Sequence, residues 1–140
     1  MKLNLKSLRE ALASLEKSLG YLGSDLARDP GMREQFRAAG ILSFEFTYAV
    51  AIRMIKRQLE QISFAWEELV QMEFMDLIRS AAEAGLITDV ARFRLYRDKR
   101  NITSHAYDQD KAEEIVAVLP AFRDDIRSLL AELERRNRAD

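Results

Sequence analysis

The sequence predicts an all-α protein, a bundle of four to five helices that run up and down. Apolar residues recur at alternating spacings of three and four, which places them on one face of an α-helix, and no two-residue alternation typical of strands appears. Only five glycines and two prolines interrupt the 140 residues, whereas alanine, leucine, glutamate and arginine are plentiful. These observations favour long helices joined by short connections.

Composition bounds the class of protein. One domain spanning residues 1–140 is the simplest organisation for this length, and 48% hydrophobic with 32% charged residues is typical of a soluble globular protein. The absence of cysteine excludes disulfides, thiolate metal sites and cysteine nucleophiles. The single histidine argues against a zinc or iron site within one chain, so we expect no metal and no other cofactor.

Charge and hydropathy bound the surroundings. The net charge of −1 gives no global attraction to nucleic acid or to an anionic membrane, so any such attraction must be local. No apolar run approaches 18 residues in length, and residues 1–6 lack the apolar core of a signal peptide. The expected location is the cytoplasm.

The first two helices have clear sequence signals. The second is predicted from about Met32 to Ile62, with Pro30 suited to its first turn. Gly40 weakens it by about 1 kcal/mol relative to alanine and marks a bend or a close crossing. The first helix, which closes near Gly20 or Gly23, is predicted from a one-sided stripe of leucines at positions 5, 8, 12, 15, 19 and 22.

An aromatic group, residues 44–48, lies within the second helix. Such a group is more often core than a ligand-binding site, and its density also makes a contact between subunits worth considering. A third helix is predicted from Phe64 or Trp66 through Ala84, because Gly85 supplies a stop after it.

The fourth helix is strongly basic. Thr88 or Asp89 caps it, and Val90 is its first buried residue. A run of charge is usually a solvated face, but this one leads directly into a polar segment, which makes an anion-binding role equally reasonable. Against the single acid Asp98 stand five cations: Arg92, Arg94, Arg97, Lys99 and Arg100.

A fifth helix is predicted near the C-terminus. Asp110 and Glu113 match a capping box at its start, and Pro120 interrupts or restarts it. The arginines of residues 135–138 end it, favourably placed against the helix dipole.

The segment best suited to a functional site is residues 100–107, Arg-Asn-Ile-Thr-Ser-His-Ala-Tyr, which contains the only histidine. On a continuing α-helix Asn101 would share a face with His105, and Tyr107 would return to Arg100 after two turns. A polar, charged arc of this kind is not needed by a helix that only packs, and it therefore indicates a site.

Histidine with arginine suits RNA cleavage without a metal, in which the ribose 2′-hydroxyl attacks the neighbouring phosphate. That reaction needs one base and one acid, and one chain offers only His105, so an enzyme of this type would share its site across a two-fold dimer. The structural alternative is that His105 satisfies hydrogen bonds near a helix end while Arg100 pairs with an acid. The residues alone leave both open.

Residues 100–107 resemble the R-N-x-x-x-H-x-Y motif of the HEPN superfamily, in its HepT-like branch. Members of that branch are commonly described as nucleotidyltransferase substrate-binding proteins. The resemblance covers roughly residues 5 to 133. Three further segments resemble signatures of the branch: Phe44-Glu45-Phe46-Thr47-Tyr48, Ala82-Glu83-Ala84-Gly85-Leu86-Ile87 and Ala112-Glu113-Glu114-Ile115.

The resemblance implies an antiparallel bundle that forms a homodimer with the motif at its cleft. It implies a ribonuclease toxin acting on RNA, in which Arg100 and His105 are catalytic and Asn101 orients His105 or the phosphate. It also implies a separately encoded partner, a minimal nucleotidyltransferase (MNT) antitoxin that transfers AMP to Tyr107. The alternative within the branch is a non-catalytic substrate-binding subunit of a nucleotidyltransferase.

Overall fold

The computed structural model describes residues 2–62 and 64–138, which form helices and short connections with no strand among them. Two short 3₁₀ turns accompany the helices, at Asp25–Arg28 and Thr103–His105. The predicted all-α bundle is confirmed. The α-helices are α1 (Lys6–Leu22), α2 (Pro30–Ile62), α3 (Trp66–Gln71), α4 (Phe74–Glu83), α5 (Val90–Asn101) and α6 (Gln109–Arg136).

The long helices α1 and α6 run antiparallel. Arg9 near the start of α1 pairs with Glu134 near the end of α6 at 3.2 Å, and Glu16 pairs with Arg127 one or two turns further in. These ion pairs are largely exposed, so they contribute little to stability. Their main role is to set the register of α1 against α6.

Helix α2 runs in the same direction as α6. Arg33 at its start holds Glu113 at the start of α6 at 2.9 Å, and Gln58 near its end accepts a 2.8 Å hydrogen bond from Asn137. Between these two contacts the helices bury their apolar faces against each other. Burying each large apolar side chain contributes about 1.5–3 kcal/mol, which is the main stabilisation of the bundle.

Aromatic rings fill the middle of the core. Phe122 of α6 meets Phe44 of α2 edge-on at 4.8 Å between centroids, and Tyr96 of α5 edge-on at 5.1 Å. All three side chains are fully buried. The T-shaped geometry is the one that aromatic quadrupoles favour, so this cluster holds α2, α5 and α6 in one arrangement.

Gly40 lies at the crossing of α2 with α1 and α6. A Cβ atom at this position would meet Leu119 Cδ1 at 3.4 Å, Leu22 Cδ1 at 3.5 Å and Ser18 Cβ at 3.8 Å. The α-helix continues without a break through this position. Of the two roles predicted for Gly40, a bend or a close crossing, the structure shows the close crossing.

Helix α2 is apolar on two sides. Its inner face is buried, and an outer stripe of small and apolar side chains faces solvent, with Leu42 69% and Phe46 56% exposed. By length and composition α2 is the only helix within the described ranges that could cross a membrane. The outer stripe consists of Ala38, Ala39, Leu42, Phe46 and Ala49.

The predicted third helix is divided into α3 and α4. Met72 and Glu73 adopt extended backbone angles between them, although no glycine or proline marks this position. The break lets α3 bury Leu69 while α4 separately buries Leu77 and Ile78. Tertiary packing of these apolar residues outweighs the helix propensity of the segment.

The predicted stop and cap around α4 and α5 are confirmed. Gly85 has a φ of 80°, and the Leu86 N–H donates to the Ala81 carbonyl at 2.9 Å, as in a Schellman motif. The Asp89 carboxylate caps α5 by accepting the Arg92 N–H at 2.9 Å.

Two expectations for the last helix are wrong. Asp108, not the Asp110–Glu113 box, caps α6 by accepting the N–H groups of Asp110 and Lys111 at 2.8 and 3.2 Å. Pro120 does not interrupt α6, which continues through it. Pro120 is exposed, so the carbonyl that its missing N–H leaves unpaired lies near water.

We expect Gly40→Leu to lower the free energy of unfolding by about 1–3 kcal/mol, because three side-chain groups already occupy the space around its Cβ position. The matched control is Gly20→Leu in α1, where no atom lies within 4 Å. That change should be neutral or stabilise by up to about 1 kcal/mol. Urea unfolding followed by circular dichroism measures both, and equal effects would contradict the close crossing.

Candidate functional site

The polar motif begins on α5, and α5 is held on α6 by one carboxylate. The Asp125 side chain is 11% exposed and accepts a hydrogen bond from the Tyr96 hydroxyl. It also accepts two hydrogen bonds from the Arg92 guanidinium, at 2.7 and 2.8 Å. Burial, and then the hydrogen bond to Asp125, raise the pKa of the Tyr96 phenol, so it remains a donor. Since a buried carboxylate needs partners, these contacts fix the register of α5.

A second contact holds the C-terminal end of α5. Lys99 pairs with Glu114 at 3.0 Å, and this hydrogen bond lowers the pKa of the Glu114 carboxyl. The two residues lie 15 positions apart and come from helices that run antiparallel. Helix α5 therefore delivers the motif to the start of α6.

The motif is not one continuous α-helix. Helix α5 ends at Asn101, and residues 103–105 form a 3₁₀ turn in which the His105 N–H donates to the Ile102 carbonyl at 2.9 Å. The expected i to i+4 stacking of Asn101 with His105 is therefore wrong, as is the two-turn return of Tyr107 to Arg100. The tighter turn arises because Thr103 Oγ1 donates to the Arg100 carbonyl at 2.8 Å, which competes with helical pairing.

Three residues anchor this turn to the bundle. Thr103 is buried, and Ile102 and Ala106 are partly buried against the core. Ser104 and His105 lie between these anchors and are exposed. The turn thus displays its polar side chains from a backbone that is held in place.

The candidate residues Arg100, Asn101, His105 and Tyr107 are all exposed, with Tyr107 at 87%. The rings of His105 and Tyr107 lie 6.3 Å apart. In the part of the chain that the structure describes, no side-chain hydrogen bond or ion pair engages Arg100, Asn101 or His105. The purely structural roles considered for His105 and Arg100 are therefore not seen.

Sequence reasoning missed the neighbours of Arg100 because they come from other helices. Tyr48 of α2 stacks with Phe74 of α4, with 6.3 Å between centroids and 18° between planes, and the Arg97 guanidinium lies 5.0 Å from the Phe74 centroid. Burial raises the pKa of Tyr48 to about 12, and the positive charges of Arg97 and Arg100 oppose that rise. Only the density of aromatic residues at 44–48 hinted at this cluster.

A groove of about 380 Å³ runs beside Tyr107 on the α2 side, and Leu42 of the outer stripe lines it. Its charged lining consists of Glu34, Glu45 and Arg37. Arg37 contacts Glu113 at 3.3 Å, and the Arg33 and Arg37 guanidinium groups together lower the pKa of that carboxyl. No group of three potential metal ligands occurs in residues 2–62 and 64–138.

Fold and site together define a small helical-bundle protein that displays an Arg-Asn and His-x-Tyr cluster where one helix ends. The chain belongs to the nucleotidyltransferase substrate-binding-protein-like family, in the HepT-like branch of the HEPN superfamily, and the family model matches residues 3–135.

A relative and a solved structure, both from Haemophilus influenzae, each match nearly the whole chain. A probable ribonuclease HepT is 38% identical over 142 aligned positions, which span 99% of this chain and 97% of that protein. The solved structure of HI0074, described as the fold of a substrate-binding domain of a nucleotidyltransferase, superimposes with a TM-score of 0.88 at 35% identity. That similarity covers 94% of this chain and 99% of the solved one.

A partial similarity involves a protein of another kind. A Thermus thermophilus phosphoribosyl-imidazole-carboxamide isomerase is 34% identical over 93 residues, which span 64% of this chain and only 37% of that protein. A match to so small a share of the isomerase carries no argument about this chain.

Proposed function

We propose that this protein is a HEPN-type toxin, a metal-independent endoribonuclease that acts as a homodimer in the cytoplasm. The observation that carries the proposal is the exposure of Arg100, at the end of α5, and of His105, on the anchored turn that follows, both free of partners among the described residues. A surface that served only folding would have no chemical need for both side chains.

The proposed reaction is transfer of a phosphodiester within the RNA strand. A base removes the proton of a ribose 2′-hydroxyl, whose oxygen attacks the adjacent phosphorus, and an acid protonates the departing 5′-oxygen. The products are a 2′,3′-cyclic phosphate and a free 5′-hydroxyl. His105 acts as base or acid, Arg100 stabilises the phosphorane, and Asn101 orients His105 or the phosphate.

The need for both a base and an acid supports the dimer, because each chain has one histidine. The outer stripe of α2 is the proposed interface. Its residues Ala39, Leu42, Phe46 and Ala49 follow the alternating spacing of a helix–helix seam, and its alanines allow close approach. Leu42 also lines the Tyr107 groove, so pairing along this stripe would bring the two Tyr107 side chains, and the motifs that carry them, towards one cleft.

The proposed partner is an MNT-type nucleotidyltransferase that acts as antitoxin. It is proposed to transfer AMP to Tyr107: the phenol oxygen attacks the α-phosphate of ATP, loses its proton and displaces pyrophosphate. The 87% exposure of Tyr107 makes its hydroxyl accessible to another enzyme. The added phosphate, tethered near His105, would compete with RNA at high effective concentration.

A second candidate is a non-catalytic substrate-binding subunit of a nucleotidyltransferase. The family description and the description of the HI0074 structure favour it, since both name substrate binding. In that case Arg100 would hold a nucleotide phosphate, and substitution of His105 would leave binding unchanged. RNA cleavage by the chain alone separates the two candidates.

His105→Ala and Arg100→Ala are each expected to reduce RNA cleavage by about 10²–10⁴-fold. Both side chains are exposed, and neither makes a hydrogen bond or an ion pair within the described residues, so unfolding free energies should stay within about 0.5 kcal/mol of the parent. Gel analysis of a labelled single-stranded RNA, with EDTA present, measures the rate. The assignment would be refuted if EDTA stopped cleavage by the parent protein while both variants still cleaved RNA in its absence.

Leu42→Glu combined with Phe46→Glu is expected to convert the dimer to a monomer, because both carboxylates would be placed in the proposed seam. Val70→Glu on α3 is the matched control, since Val70 is likewise an exposed apolar residue, at 53%, but lies outside the stripe. Light scattering measures the mass, and cleavage should fall with the dimer. A strict monomer in the parent protein would remove the shared site.

Tyr107→Phe is expected to retain nearly full cleavage and to escape the antitoxin, because only the hydroxyl that accepts AMP is lost. Tyr21→Phe is the control, since Tyr21 is 42% exposed and stacks on Phe36 away from the motif. Intact mass spectrometry after co-expression with the nucleotidyltransferase reports the AMP increment. An increment that persists in Tyr107→Phe would place the modification elsewhere.

A further inference from the structure

Two of the five cations on α5 are used to hold the helix. Arg92 binds Asp125 at 2.7 Å and Lys99 binds Glu114 at 3.0 Å, both across the interface with α6. Their charges are compensated by these carboxylates. They are therefore structural, and they contribute little to attraction for an external anion.

The other three cations form a row on the exposed side of the same helix. Arg94, Arg97 and Arg100 are exposed, and none of them has an ion pair within the described ranges. They recur every third residue, which advances about 4.5 Å along the axis per step. Asp98 is the only acid on α5, so the row is a local positive surface on a chain of nearly neutral charge.

The row meets an ordered hydroxyl near Arg100. Arg97 lies over the ring of Phe74, which stacks on Tyr48, so three helices support this end of the row. No hydrogen bond within the described residues uses the Tyr48 hydroxyl, and it is not a buried unsatisfied group, so it reaches solvent. With its pKa raised to about 12, the hydroxyl stays protonated and can donate.

The groove at the other end of the motif, beside Tyr107, is less suited to an anion. The groove beside Tyr107 has carboxylates of Glu34 and Glu45 in its lining, and its one cation, Arg37, is bound by Glu113. Among the described residues that flank the motif, the row of cations without ion pairs therefore lies on α5.

We propose that the α5 row, Arg94, Arg97 and Arg100, binds consecutive backbone phosphates of the RNA, with the Tyr48 hydroxyl donating to the phosphate near Arg100. This inference rests on the proposed ribonuclease function. Arg100 faces the phosphate that is cleaved, whereas Arg94, Arg97 and Tyr48 bind and position the strand beside it. The row supplies affinity for backbone without reading the bases.

The test measures binding of a fluorescein-labelled, mixed-sequence single-stranded RNA to the full chain carrying His105→Ala, so that the probe stays intact. Kd is determined over a series of salt concentrations. Arg94→Ala and Arg97→Ala should each weaken binding and flatten the slope of log affinity against log salt by about 0.7. Tyr48→Phe should weaken binding by about 10- to 100-fold, as for one hydrogen bond to a charged acceptor, with the slope unchanged.

Arg135→Ala is the matched control, because it removes the same charge at the far end of α6. Glu132 keeps its contact with Arg136 at 2.8 Å in that variant, so the control leaves no carboxylate unpaired. The Arg94→Ala variant is not expected to destabilise the fold, since no hydrogen bond or ion pair of the Arg94 side chain occurs in the described residues. A loss of RNA binding in this variant therefore does not reflect unfolding. Circular dichroism should give the same melting curve for it as for the parent.

If Arg94→Ala and Arg97→Ala gave the same salt slope as Arg135→Ala, the inference would be overturned. Cleavage of RNA by the parent protein would in that case still support the nuclease proposal. A parallel titration with ATP and AMP distinguishes the source of the phosphate. If the Arg94 and Arg97 variants lose affinity for ATP but not for RNA, the row serves a nucleotide and the inference fails. If the parent protein neither cleaves nor binds RNA, the proposed function fails with it.

Discussion

The site depends on the way that Asp125 holds α5 against α6. This carboxylate is nearly buried, and a charge in that position is tolerated only with partners that satisfy it. Arg92 supplies two guanidinium hydrogen bonds, and Tyr96 supplies a hydroxyl at the end of a ring enclosed by Phe93 and Phe122. A shift of α5 by one residue would break all of these contacts at once. The contacts in the middle of α5 therefore fix where the C-terminal end of the helix lies against α6.

From that position the cations of α5 divide into two groups. Those that face α6 are neutralised by acids, and those that face outward keep their charge available. The composition of the helix alone does not distinguish the groups, because both consist of long cationic side chains. The local potential near the motif arises from this division rather than from the net charge of −1.

Helix α2 connects the fold to the proposed assembly. Its inner face forms the core, Gly40 lets it approach its neighbours closely, and its outer stripe remains apolar although it faces solvent. A helix that is apolar on both sides has the composition of a membrane span, and α2 is the one described helix that does. Burial of one face in the bundle and of the other in a second copy would satisfy the same composition.

The sequence by itself determined the helical class, most helix boundaries and the residues of the motif. Leucine periodicity, Pro30, Gly85 and Asp89 act within one or two turns, so their consequences can be read locally. The tertiary structure decided the break at 72–73, the docking of α5 on α6 and the placement of Tyr48 beside Arg100. These depend on contacts between residues far apart in the chain, such as Arg92 with Asp125, 33 positions away, which only packing brings together.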